Sequence, residues 1–240
     1  MTVQNVLVEG ARLNAPLDWR TAAHLIDHTL LNAEVTRAQV SALCAEAAKY
    51  GFFSVMVNPS NVAQCVNELR GTEIVVGSVV GFPLGATTSG TKLSETLDVL
   101  KLGAREVDMV INIGALKGGD RDTVRSEMQA LASLCHSNGA KLKAILEMGV
   151  LTTEEKIVAC QLAAAAGVDF VKTSTGFTEN GATVHDVELM RGVVGQQIGV
   201  KASGGIRNAD DLLKMVDAGA SRIGTSAGVS IVRELGSPEL

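Results

Sequence analysis

The segments Val168-Asp-Phe-Val-Lys-Thr-Ser-Thr-Gly176 and Ile198-Gly-Val-Lys-Ala-Ser-Gly-Gly205 each end an apolar, β-forming run with a lysine and then a glycine turn. Between them the pattern is helical over Val184–Val194. A strand, a helix and a second strand within about 30 residues have the length of one parallel βαβ unit. The two strands of such a unit pair as neighbours about 4.8 Å apart. We therefore predict that Lys172 and Lys201 lie side by side.

The same alternation runs from about residue 20 to the end of the sequence. Short apolar runs predict eight strands: His24–Thr29, Ser54–Asn58, Glu73–Gly81, Glu106–Ile113, Lys141–Glu147, Phe170–Ser174, Gly199–Ser203 and Arg222–Thr225. Amphipathic stretches between them predict helices: Thr36–Tyr50, Thr87–Leu102, Asp122–Ser137, Thr153–Ala166, Val184–Val194 and Ala209–Ala218. Eight strands in βα alternation over roughly 220 residues predict an α/β fold, a single closed (β/α)8 TIM barrel. An open doubly wound sheet is the alternative.

No shift in composition and no linker rich in proline or serine divides the chain. We expect residues 1–20 to form a short N-terminal extension and residues 21–240 to form the barrel domain. Helix caps support the predicted boundaries. Thr152 and Glu155 have the spacing of a capping box, and Gly167 follows the last turn of the same helix.

Alternate residues of the predicted strands separate apolar faces from polar faces. The apolar faces belong against the helices, so the polar faces point into the barrel. The polar faces also carry Glu106, Asn112 and Glu147. The charged residues that we expect inside the barrel are Asp27, Asp108, Lys143, Lys172 and Lys201. Such charges are too costly to bury without pairing and partial neutralisation, and a core that served stability alone would hold Val, Ile and Leu. The pattern therefore predicts a functional site.

Paired buried lysines indicate amine chemistry. Burial and a neighbouring positive charge both lower the pKa of a lysine. A lysine that is partly neutral near pH 7 is a nucleophile and forms a Schiff base with a carbonyl compound. The alternative is that Lys172 and Lys201 are strand-end lysines whose ammonium groups extend to solvent.

Glycines and small hydroxyl residues follow the sixth, seventh and eighth predicted strands, in Thr173–Gly176, Ser203–Gly205 and Gly224–Ser226. Loops after the seventh and eighth strands of a barrel often bind phosphate through backbone N–H groups. The candidate phosphate-binding residues are Gly176, Gly204, Gly205 and Ser226. Each glycine pair by itself is also consistent with a simple turn. Beside two buried lysines, these loops favour a phosphorylated carbonyl substrate.

Composition excludes several other functions. The formal net charge is −5 and no basic stripe with interleaved aromatic residues occurs, so we expect no nucleic-acid partner. No run of about 18 apolar residues is present, so we expect no membrane span. The four cysteines lie far apart and form no CxxC pair, which indicates buried thiols in a reducing compartment rather than disulfides or a zinc site. We expect a cytoplasmic protein.

The sequence resembles the class I 2-deoxyribose-5-phosphate aldolases along nearly its whole length. The matching segments occur in the order of that family: Ile26–Leu31, Val80–Gly85, Glu106–Asn112, Gly114–Gly119, Leu142–Glu147, Phe170–Phe177, Val200–Arg207 and Ala218–Ser226. The resemblance implies a TIM-barrel enzyme of deoxynucleoside catabolism. It would reversibly cleave 2-deoxy-D-ribose 5-phosphate to acetaldehyde and D-glyceraldehyde 3-phosphate, without metal or other cofactor, as a homodimer or homotetramer.

Carried over by motif, Lys172 is the Schiff-base lysine, Lys201 the second lysine and Asp108 the acid/base carboxylate. Lys143 and Asp27 are expected to support them electrostatically. The alternatives are another lysine-dependent aldolase or transaldolase with a different aldehyde preference, or a phosphosugar-binding barrel without catalysis. The presence of all three catalytic candidates argues against the last of these.

The chain departs from the family pattern at two methionines. Met56 occupies a position where the family commonly has cysteine, and Met148 one where relatives often have a small polar residue. Because thiolates add readily to unsaturated aldehydes, the loss of a thiol predicts better tolerance of acetaldehyde. The alternative for Met56 is ordinary core packing. Met148 is expected to make the pocket more apolar, or to act as ordinary filler.

Overall fold

The structure is a computed structural model that describes residues 17–238. Eight parallel strands close into a barrel in sequence order. They are β1 (Ile26–Leu30), β2 (Ser54–Val57), β3 (Val75–Val80), β4 (Glu106–Val110), β5 (Lys141–Ile145), β6 (Phe170–Lys172), β7 (Gly199–Ser203) and β8 (Arg222–Thr225). Each strand pairs with the next, and β8 pairs with β1. The predicted TIM barrel is confirmed, and the open sheet is wrong.

Helices surround the barrel. Within residues 17–238 they are α1 (Trp19–Ala23), α2 (Arg37–Tyr50), α3 (Val62–Glu68), α4 (Ser89–Lys101), α5 (Ile113–Lys117), α6 (Arg121–Ser137), α7 (Thr153–Ala166), α8 (Val184–Val194), α9 (Ala209–Asp217) and α10 (Gly228–Glu234). The six predicted helices correspond to α2, α4, α6, α7, α8 and α9. The other four have only five to seven residues, too few to show a helical period in the sequence.

The expected N-terminal extension falls mostly outside the described residues, which begin at residue 17. Leu17 is buried, and Asp18 caps α1 by accepting a hydrogen bond from the Thr21 N–H at 2.8 Å. In none of the helices of residues 17–238 is the apolar stretch long enough to cross a membrane.

Local capping places the ends of α7 where the sequence predicts them. The Thr152 side chain accepts from the Glu155 N–H, and the Glu155 carboxylate accepts from the Thr152 N–H, so the capping box is present. Gly167 ends the helix in the left-handed conformation, with φ of 75°. A residue without Cβ adopts that conformation at little cost.

Five strands, β2 to β6, end one to three residues earlier than the sequence predicts. After β4, the Asn112 side chain accepts a hydrogen bond from the Ala115 N–H and begins α5. After β5, Glu147 turns the chain with φ of 56° and ψ of 58° into a single 3₁₀ turn, Met148–Val150. At Asn112, side-chain capping of α5 competes with continuation of the strand. The prediction that Asn112 and Glu147 lie on strand faces is therefore wrong.

The apolar core lies between the barrel and the helices. Outward-facing strand residues such as Val107, Leu142, Val171, Val200 and Ile223 have no exposed surface. The opposite faces of the same strands point inward and carry the charged residues. The predicted separation of faces is confirmed, and it places several charges on the barrel axis.

Candidate active site

Lys172 and Lys201 are directly opposite each other in the register of β6 and β7. Both are buried. Their Nζ atoms donate to the same oxygen, Oδ2 of Asp108 on β4, at 2.9 and 2.8 Å. The prediction that the two lysines lie side by side is confirmed, and the interpretation that their ammonium groups extend to solvent is wrong.

Asp108 is the centre of the interior cluster. Its second oxygen, Oδ1, accepts from Lys143 Nζ at 2.8 Å. Lys201 also forms an ion pair with Asp27 Oδ2 at 2.5 Å. Asp27 Oδ1 in turn accepts from the Ser54 hydroxyl at 2.7 Å. All five charged residues predicted for the interior therefore meet in one network.

Two further charges belong to this network and were not assigned to the site from the sequence. Arg222 Nη1 donates to Asp27 Oδ1 at 2.8 Å and to Glu106 Oε2 at 3.0 Å. Glu106 Oε2 lies 2.5 Å from Lys143 Nζ. The Arg222 guanidinium stacks on the ring of Phe53, 3.5 Å from its centroid. Strand parity predicts that Glu106 lies on the polar face, but its partner Arg222 lies 116 residues away in the sequence.

The charges of the cluster do not balance when every group is ionised. It contains three carboxylates and four cations: Asp27, Glu106, Asp108, Lys143, Lys172, Lys201 and Arg222. An unpaired charge in a dry interior is costly. Loss of one proton from one lysine leaves the cluster neutral, so the interior favours one uncharged amine.

The surroundings favour Lys172 as the amine that loses its proton. Burial lowers the pKa of Lys172 to about 8, and the charge of Lys201 acts in the same direction against the attraction of Asp108. For Lys143, burial is outweighed by Asp108, Glu106 and Asp27, which raise its pKa. Burial would raise the pKa of Asp108, but Lys143, Lys172 and Lys201 hold it well below its usual range. Asp108 is thus a carboxylate beside an amine that is readily neutral.

An open cavity of about 230 Å³ lies at the carboxyl ends of the strands, where barrel proteins place their active sites. Of the charged cluster, only Lys172 contributes to its wall. Asp108 and Lys201 lie behind Lys172. Asp108 accepts a hydrogen bond from Lys172, and Lys201 donates to the same carboxylate. A molecule in the cavity therefore meets the Lys172 amine first.

All four candidate phosphate-binding residues line this cavity: Gly176, Gly204, Gly205 and Ser226. The three glycines have φ between 81° and 85°, which side chains with Cβ rarely adopt. Within residues 17–238, the backbone N–H groups of Gly176, Gly205 and Ser226 make no hydrogen bond. These donors from the loops after β6, β7 and β8 are available to an anion.

The two methionine departures lie away from this cavity. Met56 is on an inward face of β2, is 1% exposed, and packs over Gly77 of β3 with its sulfur where a side chain at that position would sit. Met148 is fully buried. Neither residue lines the cavity. Their positions favour the packing interpretation for both.

The four cysteines are unpaired and buried, as the sequence predicts: Cys44, Cys65, Cys135 and Cys160. In the part of the chain that the structure describes, no group of three or more His, Cys, Asp or Glu side chains is arranged to hold a metal ion.

Fold and site together define a (β/α)8 barrel with a lysine–carboxylate cluster behind an open cavity at the carboxyl ends of its strands. A family model for DeoC/LacD family aldolases matches residues 21–235. The chain is 55% identical to a deoxyribose-phosphate aldolase of Geobacillus sp., over 88% of this chain and 94% of that protein. It is 52% identical to a deoxyribose-phosphate aldolase of Staphylococcus epidermidis, over 90% of this chain and 97% of that protein.

A solved structure gives the same result. The deoxyribose phosphate aldolase of Aeropyrum pernix, described as tetrameric, superposes with a TM-score of 0.87 at 32% identity and covers 99% of both chains. The chain belongs to the DeoC/LacD family of aldolases.

Proposed function

We propose that this chain is a class I aldolase that reversibly cleaves 2-deoxy-D-ribose 5-phosphate to acetaldehyde and D-glyceraldehyde 3-phosphate. Two relatives with more than half of the aligned residues identical to this chain are deoxyribose-phosphate aldolases. The observation that carries the proposal is the position of Lys172, the one member of a charge-unbalanced cluster that lines the cavity. This is the arrangement that a Schiff-base nucleophile needs.

Lys172 begins the reaction. Its neutral Nζ attacks the C1 aldehyde carbon of the open-chain sugar, and loss of water from the carbinolamine gives an iminium ion. The iminium accepts the electron pair of the C2–C3 bond as that bond breaks. The C3 hydroxyl proton leaves, D-glyceraldehyde 3-phosphate departs, and an enamine of acetaldehyde remains on Lys172. Protonation of the enamine carbon and hydrolysis of the iminium release acetaldehyde.

Asp108 and Lys201 move the protons. Asp108 Oδ2 lies 2.9 Å from Lys172 Nζ, so this carboxylate is close enough to accept the C3 hydroxyl proton, directly or through a water, and to return a proton to the enamine carbon. Lys201 shares that oxygen at 2.8 Å, and its positive charge favours the neutral form of Lys172. Lys143 and Asp27 act as electrostatic support, because each forms an ion pair with a member of this pair.

In this proposal the phosphate group of the substrate binds where the loops after β6, β7 and β8 line the cavity. The free N–H groups of Gly176, Gly205 and Ser226 come from three loops that line the cavity, and Gly204 also lines it. Backbone donors of this kind bind phosphate oxygens without a cationic side chain.

The protein acts without metal or cofactor in this proposal, since the iminium supplies the electron sink. Its partners are small phosphosugars and aldehydes, with no nucleic acid and no membrane. We also propose that it works in the cytoplasm in deoxynucleoside catabolism, as a homodimer or homotetramer. The tetramer of the Aeropyrum pernix relative supports the oligomer.

Borohydride trapping tests the proposal. The protein is incubated with acetaldehyde, reduced with sodium borohydride and digested for peptide mass spectrometry. We expect the mass of one reduced imine on Lys172. Lys172→Ala should show no adduct in the site and no cleavage of the sugar phosphate, whereas Lys101→Ala, which removes an exposed lysine of α4, should retain both. Sugar cleavage that persists in Lys172→Ala would overturn the proposal.

A comparison of substrates separates the two aldolase alternatives. Turnover of deoxyribose 5-phosphate is measured beside turnover of free deoxyribose. A preference for the phosphorylated sugar supports the proposed substrate. Equal efficiency on both would support an aldolase with another aldehyde preference, and a pure binding barrel would show neither turnover nor a trapped imine.

A further inference from the structure

Glu147, directly after β5, has an unusual backbone conformation. Among residues 17–238 it is the one residue other than glycine with a positive φ, 56°. That region is unfavourable for a residue with a long side chain, and such conformations cluster at functional sites. Glu147 is also only 1% exposed. The fold therefore holds a carboxylate in a strained and buried position.

The Glu147 carboxylate has neutral donors as its partners. Its Oε2 accepts from the Thr175 hydroxyl at 2.6 Å, and both oxygens lie 3.3 Å from the Thr175 N–H. Oε1 also accepts from the Thr178 hydroxyl at 3.2 Å. No lysine or arginine of the described residues pairs with it. A buried carboxylate without a cation is stable only when hydrogen bonds replace its water, so these contacts strongly constrain the loop that supplies them.

The constrained loop is the one after β6, which lines the cavity. The Thr175 N–H donates to the Glu147 carboxylate, and the Thr175 hydroxyl accepts from the Phe177 N–H at 3.1 Å. Of these three consecutive N–H groups, the middle one, on Gly176, has no partner within the described part of the chain. The hydrogen bonds of Glu147 thus leave one loop donor free at the cavity wall.

The far end of the same loop is attached to the loop after β7. Ala182 N–H donates to the Gly204 carbonyl at 3.0 Å. Gly181 packs directly on the Gly204 backbone, where a side chain would not fit. A shift of the loop after β6 would therefore move Gly176 and also displace the loop after β7, which carries Gly204 and Gly205.

We propose that Glu147 is a positioning residue for the substrate's phosphate group: it holds the loop after β6 so that Gly176 N–H joins Gly205 and Ser226 in one anion cradle. Glu147 does not line the cavity and would not touch the substrate. The inference rests on the proposed function, because it concerns the phosphate of that substrate.

Three variants separate the carboxylate from the backbone. Glu147→Asn keeps a residue that tolerates the left-handed conformation but is too short to reach Thr175. Glu147→Gln keeps the reach, with one oxygen to accept from Thr175 and an amide to face the Thr178 hydroxyl. Thr175→Val retains the shape of the loop residue and removes the hydroxyl that joins Glu147 to Phe177 N–H.

We expect Glu147→Asn and Thr175→Val to raise the KM for deoxyribose 5-phosphate, and the inhibition constant of inorganic phosphate, by about tenfold each. The kcat should stay within about threefold, since Lys172 and Asp108 are untouched. The KM for free deoxyribose should not change. Glu147→Gln should restore most of the affinity for phosphate.

Trapping with acetaldehyde, which has no phosphate, distinguishes failure of this inference from failure of the proposed function. If the parent protein forms no imine on Lys172, the proposed function is wrong. If the parent forms it, but Glu147→Asn and Thr175→Val change the KM of phosphorylated and free sugar equally or only lower kcat, the positioning role is wrong. Thermal unfolding of each variant shows whether it is folded. If Glu147→Asn does not fold, the milder Thr175→Val decides by the same criteria.

Discussion

Arg222 on β8 and Glu106 on β4 form an ion pair at 3.0 Å inside the barrel. Each also pairs with another charged residue of the interior cluster: Arg222 with Asp27, and Glu106 with Lys143. The charge of this pair therefore acts on Lys172 through a poorly hydrated interior, where electrostatic interactions are stronger than in water.

Opposite charge deletions in this pair should shift the titration of Lys172 in opposite directions. Arg222→Met removes a positive charge and should raise the pKa of Lys172. Glu106→Gln removes a negative charge and should lower it. We expect shifts of about 0.5–1 pH unit in the midpoint of the acetaldehyde-trapping rate, measured from pH 5.5 to 10. Shifts of the same sign in both variants would contradict this electrostatic account.

The rate of imine formation should follow deprotonation of Lys172. With a pKa of about 8 for this buried amine, roughly a tenth of the molecules carry it neutral at pH 7. We expect the single-turnover trapping rate to rise about tenfold between pH 6 and pH 7 and to level above about pH 8. A midpoint near 10.5 would show that burial does not lower the pKa of this amine, and a rate that is flat from pH 6 to 8 would contradict a pKa near 8.

Lys172 should reduce the stability of the folded protein. Its pKa in the folded state lies below the ordinary lysine value of 10.5. Burial of the charged amine therefore destabilises the folded state fully below about pH 8, and this destabilisation disappears as pH rises toward 10.5. We expect Lys172→Met to increase the free energy of unfolding in urea at pH 7 by about 1–3 kcal/mol. That advantage over the parent should shrink between pH 8 and pH 10.5.

The matched control for this prediction is Lys143. Three carboxylates surround its ammonium group and raise its pKa, so its charge is favourable in the folded state. Lys143→Met should lower the free energy of unfolding by about 3–5 kcal/mol. If both variants destabilise equally at pH 7, the cost attributed to Lys172 is absent.

Met56→Cys tests the hypothesis on acetaldehyde tolerance. Because Met56 fills the space above Gly77, the shorter side chain should lower the free energy of unfolding by about 1–3 kcal/mol. The hypothesis requires, in addition, faster inactivation by acetaldehyde in the cysteine variant. Activity is followed over time in concentrated acetaldehyde. An inactivation rate equal to that of the parent would leave core packing as the role of Met56.

Much of the site could be predicted from strand parity alone. Asp27, Asp108, Lys143, Lys172 and Lys201 were all placed inside the barrel, because alternate residues of a strand point to opposite faces. Glu106 was on the correct face but received no role. Its importance depends on Arg222, and nothing local in the sequence predicts a contact between residues 116 positions apart.

Strand ends were less predictable than strand centres. The sequence predicts that β4 and β5 continue through Asn112 and Glu147, since both residues continue the polar–apolar alternation. In the structure Asn112 caps α5, and Glu147 turns the chain to reach Thr175 on a different loop. The position of Glu147 is stabilised by contacts 28 residues away, so local periodicity carries no sign of it.

The sequence by itself determined the alternation of strands and helices, the inward face of each strand and the presence of two neighbouring lysines, because these depend on short-range periodicity. Only the tertiary structure decided which carboxylate each cation contacts, that Lys172 alone of the cluster lines the cavity, and that Glu147 anchors a loop there. Closure of the barrel joins β8 to β1 and brings Arg222 to Asp27 across 195 residues. Charge pairing over such separations is a property of the closed fold.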